Sequence, residues 1–398
     1  MNVIYVGTVP PNHIVDEIKR LGSYMDYATL TFQNALVSGL DYWYPNMRIV
    51  SAIRVDEYPK VKKIIFKPEN YSHKDKGNKD DRFVRIVNLP LLKRFFLFID
   101  KRREIKQMIY QGEQNVVIMY SLPSSQLLAV ATLRKHLFKT CLVIPDLPEY
   151  MSDNRGFIWS LAKSIDRKLI EWSIRRIDTF VLLSKHMANR LPIKGKTWKV
   201  MEGIYNQTNC DIEPSKEFEQ YKAIMYSGDL SLRYGIKDLL DAFELISDKS
   251  YRLILCGNGN GKQLIIEYAN KDPRIIYLGV LEHEKVLSLQ KGVKVLVNPR
   301  HKSEDYTRYS FPSKTMEYLA SETPVIMHHL DCIPPDYDEY INYIETETPE
   351  SLRDIIIEVC ERDCDVAKER AKKAAIFIKE QKNAVVQATK IVELIGGK

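Results

Sequence analysis

Several apolar runs in this chain end on glycine in a way that could serve an anion. Tyr226-Ser227-Gly228-Asp229 and Leu255-Cys256-Gly257, which opens the turn GNGNGK, both close a β-branched or apolar run on glycine. At such junctions the backbone can approach a ligand closely, and a following helix presents unpaired N–H groups to negative charge. Gly7 ends the opening run NVIYVG in the same manner, the plainer alternative being an ordinary strand–turn glycine. In VIPDLPE, Asp146 and Glu149 are carboxylates that could hold a hydroxyl or take a proton, or could simply cap the next helix. Other combinations carry less. The GNGNGK turn lacks the downstream acidic partner of a dinucleotide fingerprint, which argues against a dehydrogenase. Cys360 and Cys364 are spaced one helical turn apart, but no histidine or second cysteine pair completes a metal set. His328-His329 reads as loop, and no Ser/His/Asp nucleophile context is present.

The elements that must position these residues are legible as alternating strands and helices. NVIYVG, MRIVSAIRV, NVVIMYS, TCLVIPD and DTFVLLS read as strands, with helical stretches such as SSQLLAVATLRKHL between them. The pattern restarts at AIMYSGDL and continues through YRLILCG, RIIYLGVL, VKVLVNP and TPVIMHH. Alternation of this kind predicts βαβ units and doubly wound parallel sheets. At 398 residues the chain suits two such domains. The polar, aperiodic stretch 205–222 is the expected linker. The expected division is 1–205, 206–375 and a terminal helix at 376–398 that could pack back on the first domain.

Composition is that of an ordinary globular protein, with 45% hydrophobic and 28% charged residues. The net charge of +7 is unevenly spread: 33 basic against 20 acidic residues over 1–205, and 26 against 32 over 206–398. A basic first half predicts an anionic partner. The mixture LLKRFFLFIDKRREIKQMI at 91–109 reads as an interfacial helix for an anionic membrane surface, or else as an amphipathic helix packed on its own sheet. Nucleic acid is not expected, since the aromatics form no stacking series. No segment reaches the ~20 apolar residues of a membrane span. With no signal-like start and six scattered cysteines, a cytoplasmic location, peripheral at the inner face of the membrane, is expected.

Four blocks in the second half, YSGDLSLRYGIKDLLDAF, LILCGNGNGK, RIIYLGVLEHEKVLSLQKGVKVLVNPR and YSFPSKTMEYLASETPVI, make the chain resemble the family-4 retaining glycosyltransferases of the bacterial capsule and surface-polysaccharide type. The resemblance implies the GT-B fold, two Rossmann-like doubly wound domains with an interdomain cleft. It also implies a nucleotide diphosphate sugar as donor, with a UDP-sugar favoured, and a glycan or lipid-linked oligosaccharide as acceptor. It places Gly7, Gly228 and Gly257 beside the diphosphate. Arg233 lies within one residue of the family's basic position and would grip phosphate oxygens, the alternative being a solvated surface arginine. Glu317 matches the ribose-reading glutamate, and Lys314 would reach the phosphates as a point charge. Tyr309 stands where the family has its first glutamate, and Asp229 where many members carry an arginine, so one cation is missing or comes from elsewhere. Ser310, Phe311 and Ser313 would turn the loop's amides to the donor, and Asp146 would serve the acceptor side. Asp146, Arg233 and Lys314 are thus the expected catalytic residues. No metal or other cofactor is expected, since no DxD motif stands where a metal-dependent enzyme needs one. Two rival readings are a GT-B sugar-nucleotide 2-epimerase and a non-catalytic partner subunit.

Overall fold

The structure, a computed structural model, describes residues 1–90, 92–133, 137–147, 157–206, 212–303 and 305–396, with the backbone alone at 157–163 and 364. It divides into two compact units, Met1–Ile204 with Ala384–Lys398, and Tyr205–Asn383. The boundary expected at 375/376 falls within a continuous helix, and the chain instead leaves the second unit after Asn383.

The first unit is built on apolar runs that pair in parallel. Its strands are β1 (Asn2–Gly7), β2 (Arg48–Ser51), β3 (Ile65–Phe66), β4 (Glu69–Tyr71), β5 (Asp81–Phe83), β6 (Ile86–Val87), β7 (Asn115–Tyr120), β8 (Lys139–Ile144), β9 (Thr179–Leu182) and β10 (Thr197–Val200). The main sheet runs β10-β9-β8-β7-β1-β2-β5-β4, parallel except for β4 at its edge, and β3 with β6 forms a small antiparallel pair. Every residue of β1 and β7 is buried, as both faces of a parallel sheet must be. Helices α1 (Asn12–Arg20), α2 (Tyr27–Trp43), α3 (Leu92–Met108), α4 (Ser124–Ala131) and α5 (Phe157–Ile174) connect them.

The second unit repeats the plan. Strands β11 (Lys222–Asp229), β12 (Tyr251–Asn258), β13 (Ile275–Gly279), β14 (Val295–Asn298), β15 (Val325–His328) and β16 (Ile341–Ile344) alternate with α6 (Ile236–Glu244), α7 (Lys262–Lys271), α8 (His283–Gly292), α9 (Ser313–Ala320) and α10 (Pro349–Glu361). Helix α11 (Cys364–Gln381) completes it. The sheet order is β13-β12-β11-β14-β15-β16, all parallel. Winding therefore reverses between β11 and β14, and a crevice outside the carboxyl ends of these two strands is where a doubly wound sheet receives a ligand. The final helix α12 (Ala384–Ile395) returns to the first unit and packs on α2, where the Trp43 indole donates to the Val385 carbonyl at 3.3 Å.

Helix α3 corrects the reading of 91–109. Lys93, Asp100 and Lys101 face inward, while Leu92, Phe95 and Ile99 face solvent. The cavity wall opposite α3 is rich in acceptors: the Lys93 ammonium donates to the Val55 carbonyl and to Asn88 Oδ1, and Lys101 to Gln126 Oε1 at 2.8 Å. Asp100 is buried against Arg85 at 3.1 Å. Burial pushes the Lys101 pKa down to about 7. Periodicity could not reveal a helix whose charged residues seek buried carbonyls. Among the described residues, no helix is long and apolar enough to cross a membrane.

At the β4–β5 edge, buried His73 is held on both ring nitrogens, by Asp81 at 2.7 Å and by Asp41 of α2 at 3.0 Å. Burial works against its charge, but the hydrogen bonds to Asp41 and Asp81 more than offset it and raise the pKa to about 9. A histidine whose folded pKa exceeds its unfolded value of ~6.5 stabilises the fold fully below ~6.5 and loses that contribution as pH rises through the folded value. The melting temperature of the wild type should therefore fall between about pH 6.5 and 9 more steeply than that of His73→Gln. Parallel melting curves across that range would refute the clamp.

Candidate functional site

Beside the second unit's switch point, two strand ends approach closely. Strands β11 and β12 pair from Lys222↔Tyr251 to Asp229↔Asn258, which sets Gly228 opposite Gly257. Gly257 has a φ of +134°, and a Cβ there would lie 1.8 Å from the Gly228 carbonyl oxygen. Its glycine is demanded by the neighbouring strand. Gly228 is different. Its φ is +146°, yet a Cβ would find only ordinary contacts, the nearest being Lys314 Cε and the Tyr226 hydroxyl at 3.6 Å. The approachable backbone is that of Gly228.

Beside it lies a polar network centred on Glu317. The Lys314 ammonium donates to Glu317 Oε1 at 2.8 Å, and the Gln290 amide of α8 donates to the same oxygen at 2.7 Å and to Ser227 Oγ at 2.9 Å. Tyr318 closes the network, its hydroxyl accepting from Ser227 N at 2.9 Å and donating to Ser227 O at 3.1 Å. Burial alone would raise the Glu317 pKa, but the Lys314 charge and the Gln290 hydrogen bond outweigh it and hold the carboxyl below the ordinary glutamate range. Glu317 therefore stays ionised, and Lys314, expected to reach a phosphate unaided, is paired with it.

A second group gathers around Tyr226 on the β14 side. Arg233, in a short 3-10 turn after β11, places its guanidinium 4.8 Å from the Tyr234 ring centroid and donates to the Tyr234 hydroxyl at 2.7 Å. Arg300, just past β14, stands 4.6 Å from the same ring and 5.4 Å from Tyr306. Gly235, with φ +78°, lets these two loops touch, since a Cβ there would lie 2.1 Å from the Pro299 carbonyl oxygen. Asp229 supplies no cation but accepts from Ser231 N at 2.9 Å and shapes the loop before Arg233. Sequence reading missed Arg300, Gln290 and Tyr234. Only the location of PR at the end of the strand VKVLVNP, across the switch point from Gly228, could have pointed to Arg300.

The remaining expected residues divide. Phe311 is core, 6% exposed and packed against Tyr337 at 5.5 Å, because an apolar ring beside β15 is worth more buried. The Tyr309 and Ser310 amides both donate to the Tyr306 carbonyl, at 3.0 and 3.1 Å, so Ser310 does not turn its N–H to a ligand. Tyr309 is half-buried. Ser313 opens α9, whose N-terminus follows Pro312 with no side chain capping it. Gly7 and Asp146 belong to the first unit. A Cβ on Gly7 would meet Gln33 Oε1 at 2.3 Å, and that oxygen accepts from Thr8 N at 2.7 Å, so close packing requires the glycine here. Asp146 follows β8, exposed as a residue but with its carboxyl partly withdrawn from water, which raises its pKa, and the Asp26 charge adds to the rise. Glu149 lies outside the described residues. Among the described residues, no group of three or more His, Cys, Asp or Glu could hold a metal ion.

Two glycines with similar dihedrals should respond differently to a methyl group. Gly257→Ala forces two strand ends apart and should cost about 3 kcal/mol or more, whereas Gly228→Ala carries backbone strain alone, about 1–3 kcal/mol. Urea unfolding measures both, and equal losses would contradict the crowding at Gly257.

Residues 208–380, nearly the whole second unit, match the family glycosyl transferases group 1. Among solved structures, the chain is similar to sucrose-phosphate synthase from Thermosynechococcus elongatus, at 14% identity and a TM-score of 0.62, covering 99% of this chain and 98% of that one. It is also similar to HepE of Anabaena in complex with UDP, at 11% identity, TM-score 0.62 and full coverage of both chains. TarM of S. aureus matches at 11% identity and TM-score 0.62, over 100% of this chain and 99% of that one. At such identities these likenesses show the fold. Dehydrogenase/reductase SDR family member 7C of Rattus norvegicus and of Mus musculus is 27% identical over 174 residues, 41% of this chain and 52% of theirs. The chain thus spans about half the length of the curated relatives it matches. Residues 208–380 carry a glycosyl transferases group 1 domain within a chain of GT-B fold, and the two together support a transferase.

Proposed function

We propose that the chain transfers a sugar, with retention, from a nucleotide diphosphate sugar to a glycan acceptor. A UDP-sugar is the favoured donor, and a lipid-linked acceptor in surface-polysaccharide synthesis the favoured setting. The observation that carries the reading is the ionised, immobilised carboxylate of Glu317 beside the open backbone of Gly228 at the switch point of the second unit. A fixed carboxylate is a strong acceptor for the paired hydroxyls of a ribose. The Lys314 side chain passes beside Gly228 to pair with that carboxylate, where its charge would meet a diphosphate. Arg233 would meet the charge that develops on the leaving diphosphate, an interaction stronger in the transition state than in the ground state. Retention without an enzymic nucleophile suggests same-face attack, with the departing phosphate taking the acceptor proton. Asp146, its pKa raised by its surroundings, would hold the acceptor hydroxyl or assist that proton transfer. The reading calls on no metal.

A cytoplasmic, membrane-peripheral setting draws support from the first unit's surface. Leu92, Phe95 and Ile99 of α3 and Ile165, Leu169 and Trp172 of α5 are exposed, and Arg94 bridges the two helices through Asp166 at 2.9 Å. Arg94 and Arg103 of α3, Lys168 of α5 and Arg175 just after it are exposed as well. Buried Lys93 and Lys101 drop out of this surface.

Glu317→Ala should weaken binding of the donor about ten- to hundredfold, the range expected for a lost charged hydrogen bond. Calorimetry with UDP-sugars measures it, and unchanged donor affinity would remove Glu317 from the site. Release of free nucleotide only when acceptor is present separates transfer from epimerisation. For the membrane, Phe95→Ser with Arg94→Glu and Arg103→Glu should abolish sedimentation with anionic vesicles at low salt, each basic group near such a surface being worth ~1 kcal/mol. Equal sedimentation with neutral vesicles would defeat the claim.

A further inference from the structure

We propose that Arg300 is a phosphate-binding residue and that it forms, with Arg233, a two-guanidinium site for a diphosphate. The anion site stands on the geometry of the second unit alone, while naming its occupant a nucleotide diphosphate rests on the glycosyl-transfer reading above.

Three observations converge on Arg300. First, its Nη1 is buried and has no hydrogen-bond partner among the described residues. A buried guanidinium donor left unpaired is costly and uncommon, and a ligand oxygen would satisfy it. Second, Arg300 and Arg233 approach the same Tyr234 ring, at 4.6 and 4.8 Å, so two positive charges are held in one neighbourhood by aromatic faces. Third, four carboxylates of the surrounding loops are held by other partners. Asp331 pairs with Lys302 at 3.3 Å and Arg308 at 3.0 Å. Asp229 is bound by Ser231, Asp238 by His301, and Glu347 accepts from Ser303 N at 3.0 Å and from Lys302 N. Among the described residues neither guanidinium forms an ion pair with a carboxylate, Asp229 acting on Arg233 through its charge alone.

The site is also held ready. Residues 301–303 are tied down through His301, which pairs with Asp238 of α6 and lies 3.5 Å from Glu347, while Gly235 packs against Pro299 on the other side. Arg300 is therefore anchored on both flanks, and little ordering is left to occur on binding. Asp229 fills the position where a second cation was expected, and Arg300 delivers that charge from the neighbouring strand.

Titration of inorganic pyrophosphate, UDP and uridine into the full chain tests this. Arg300→Gln should weaken pyrophosphate and UDP about tenfold or more and leave uridine unaffected, because hydrogen bonds from a charged donor to phosphate are the strong ones. Arg300→Lys, which keeps the charge and loses the fork and the ring stacking, should fall between. Lys302→Ala should bind all three as the wild type does. A matched melting temperature for Arg300→Gln excludes a folding defect, and Arg300→Lys serves where it does not match. Wild-type pyrophosphate affinity in a folded Arg300→Gln, or no pyrophosphate binding by the wild type at millimolar concentration, would overturn the proposal. If no nucleotide sugar is turned over and pyrophosphate binding still depends on Arg300, the anion site holds and the transfer reading falls. An equal loss for uridine would also overturn it, since the residue would then not be reading phosphate.

Discussion

The contact between the ends of β11 and β12 governs the second unit's site. With Gly228 and Gly257 paired across the sheet and no room for a side chain at Gly257, the two loops leave the strands stacked directly on one another. The segment after Gly228 then lies against the glycine-rich turn, where Leu232 N donates to Asn260 Oδ1 at 2.9 Å. That support carries Arg233 and Tyr234 toward β14, and the Gly235–Pro299 contact completes the junction. The GNGNG run is a packing device. Its glycines are filled by the chain's own backbone, which accounts for a fingerprint-like sequence that holds no dinucleotide pocket of its own.

Polar satisfaction decides how the rest of the site behaves. Glu317 is largely removed from water, so its charge persists only because Lys314 and Gln290 are fixed on it. Gln290 in turn ties Glu317 to Ser227, and Tyr318 ties Ser227 to α9. Such bonds hold the joined side chains in place, while the buried Gln290 Oε1 has no partner among the described residues. The tyrosine–arginine group next to it is of the opposite kind, rich in donors that protein acceptors do not exhaust. A fixed carboxylate and two guanidinium groups, one of them with a buried N–H unpaired among the described residues, suit a ligand with hydroxyls at one end and anionic oxygens at the other.

The first unit shows the same rule acting against expectation. Helix α3 buries two lysines and an aspartate because the surface beneath it offers carbonyl, amide and guanidinium partners, and it leaves phenylalanine and isoleucine outside. Hydrogen-bonding opportunity outweighed hydrophobic order at those positions. The apolar side chains so displaced stay exposed, and Arg94 of the same helix pairs with Asp166 of α5 at 2.9 Å.

The sequence by itself determined the alternation of strands and helices, because β-branched apolar runs and 3.6-residue periodicity are local properties of the chain. It also singled out Gly228, Lys314 and Glu317, which lie together at one strand end, and Arg233, which stands in the neighbouring loop. What it could not determine was anything that depends on which strands become neighbours. Arg300 joins Arg233 only because β14 inserts beside β11, some seventy residues away in the chain. Phe311 went to the core, and Gly7 and Gly257 to close packing, because their surroundings come from distant segments: Tyr337, Gln33 and Gly228. Likewise the chain's return to the first unit after Asn383 reflects the fit of α12 against α2. Local pattern encodes the elements; burial, charge pairing and strand order, which are properties of the assembled fold, decided which residues stayed free to meet a ligand.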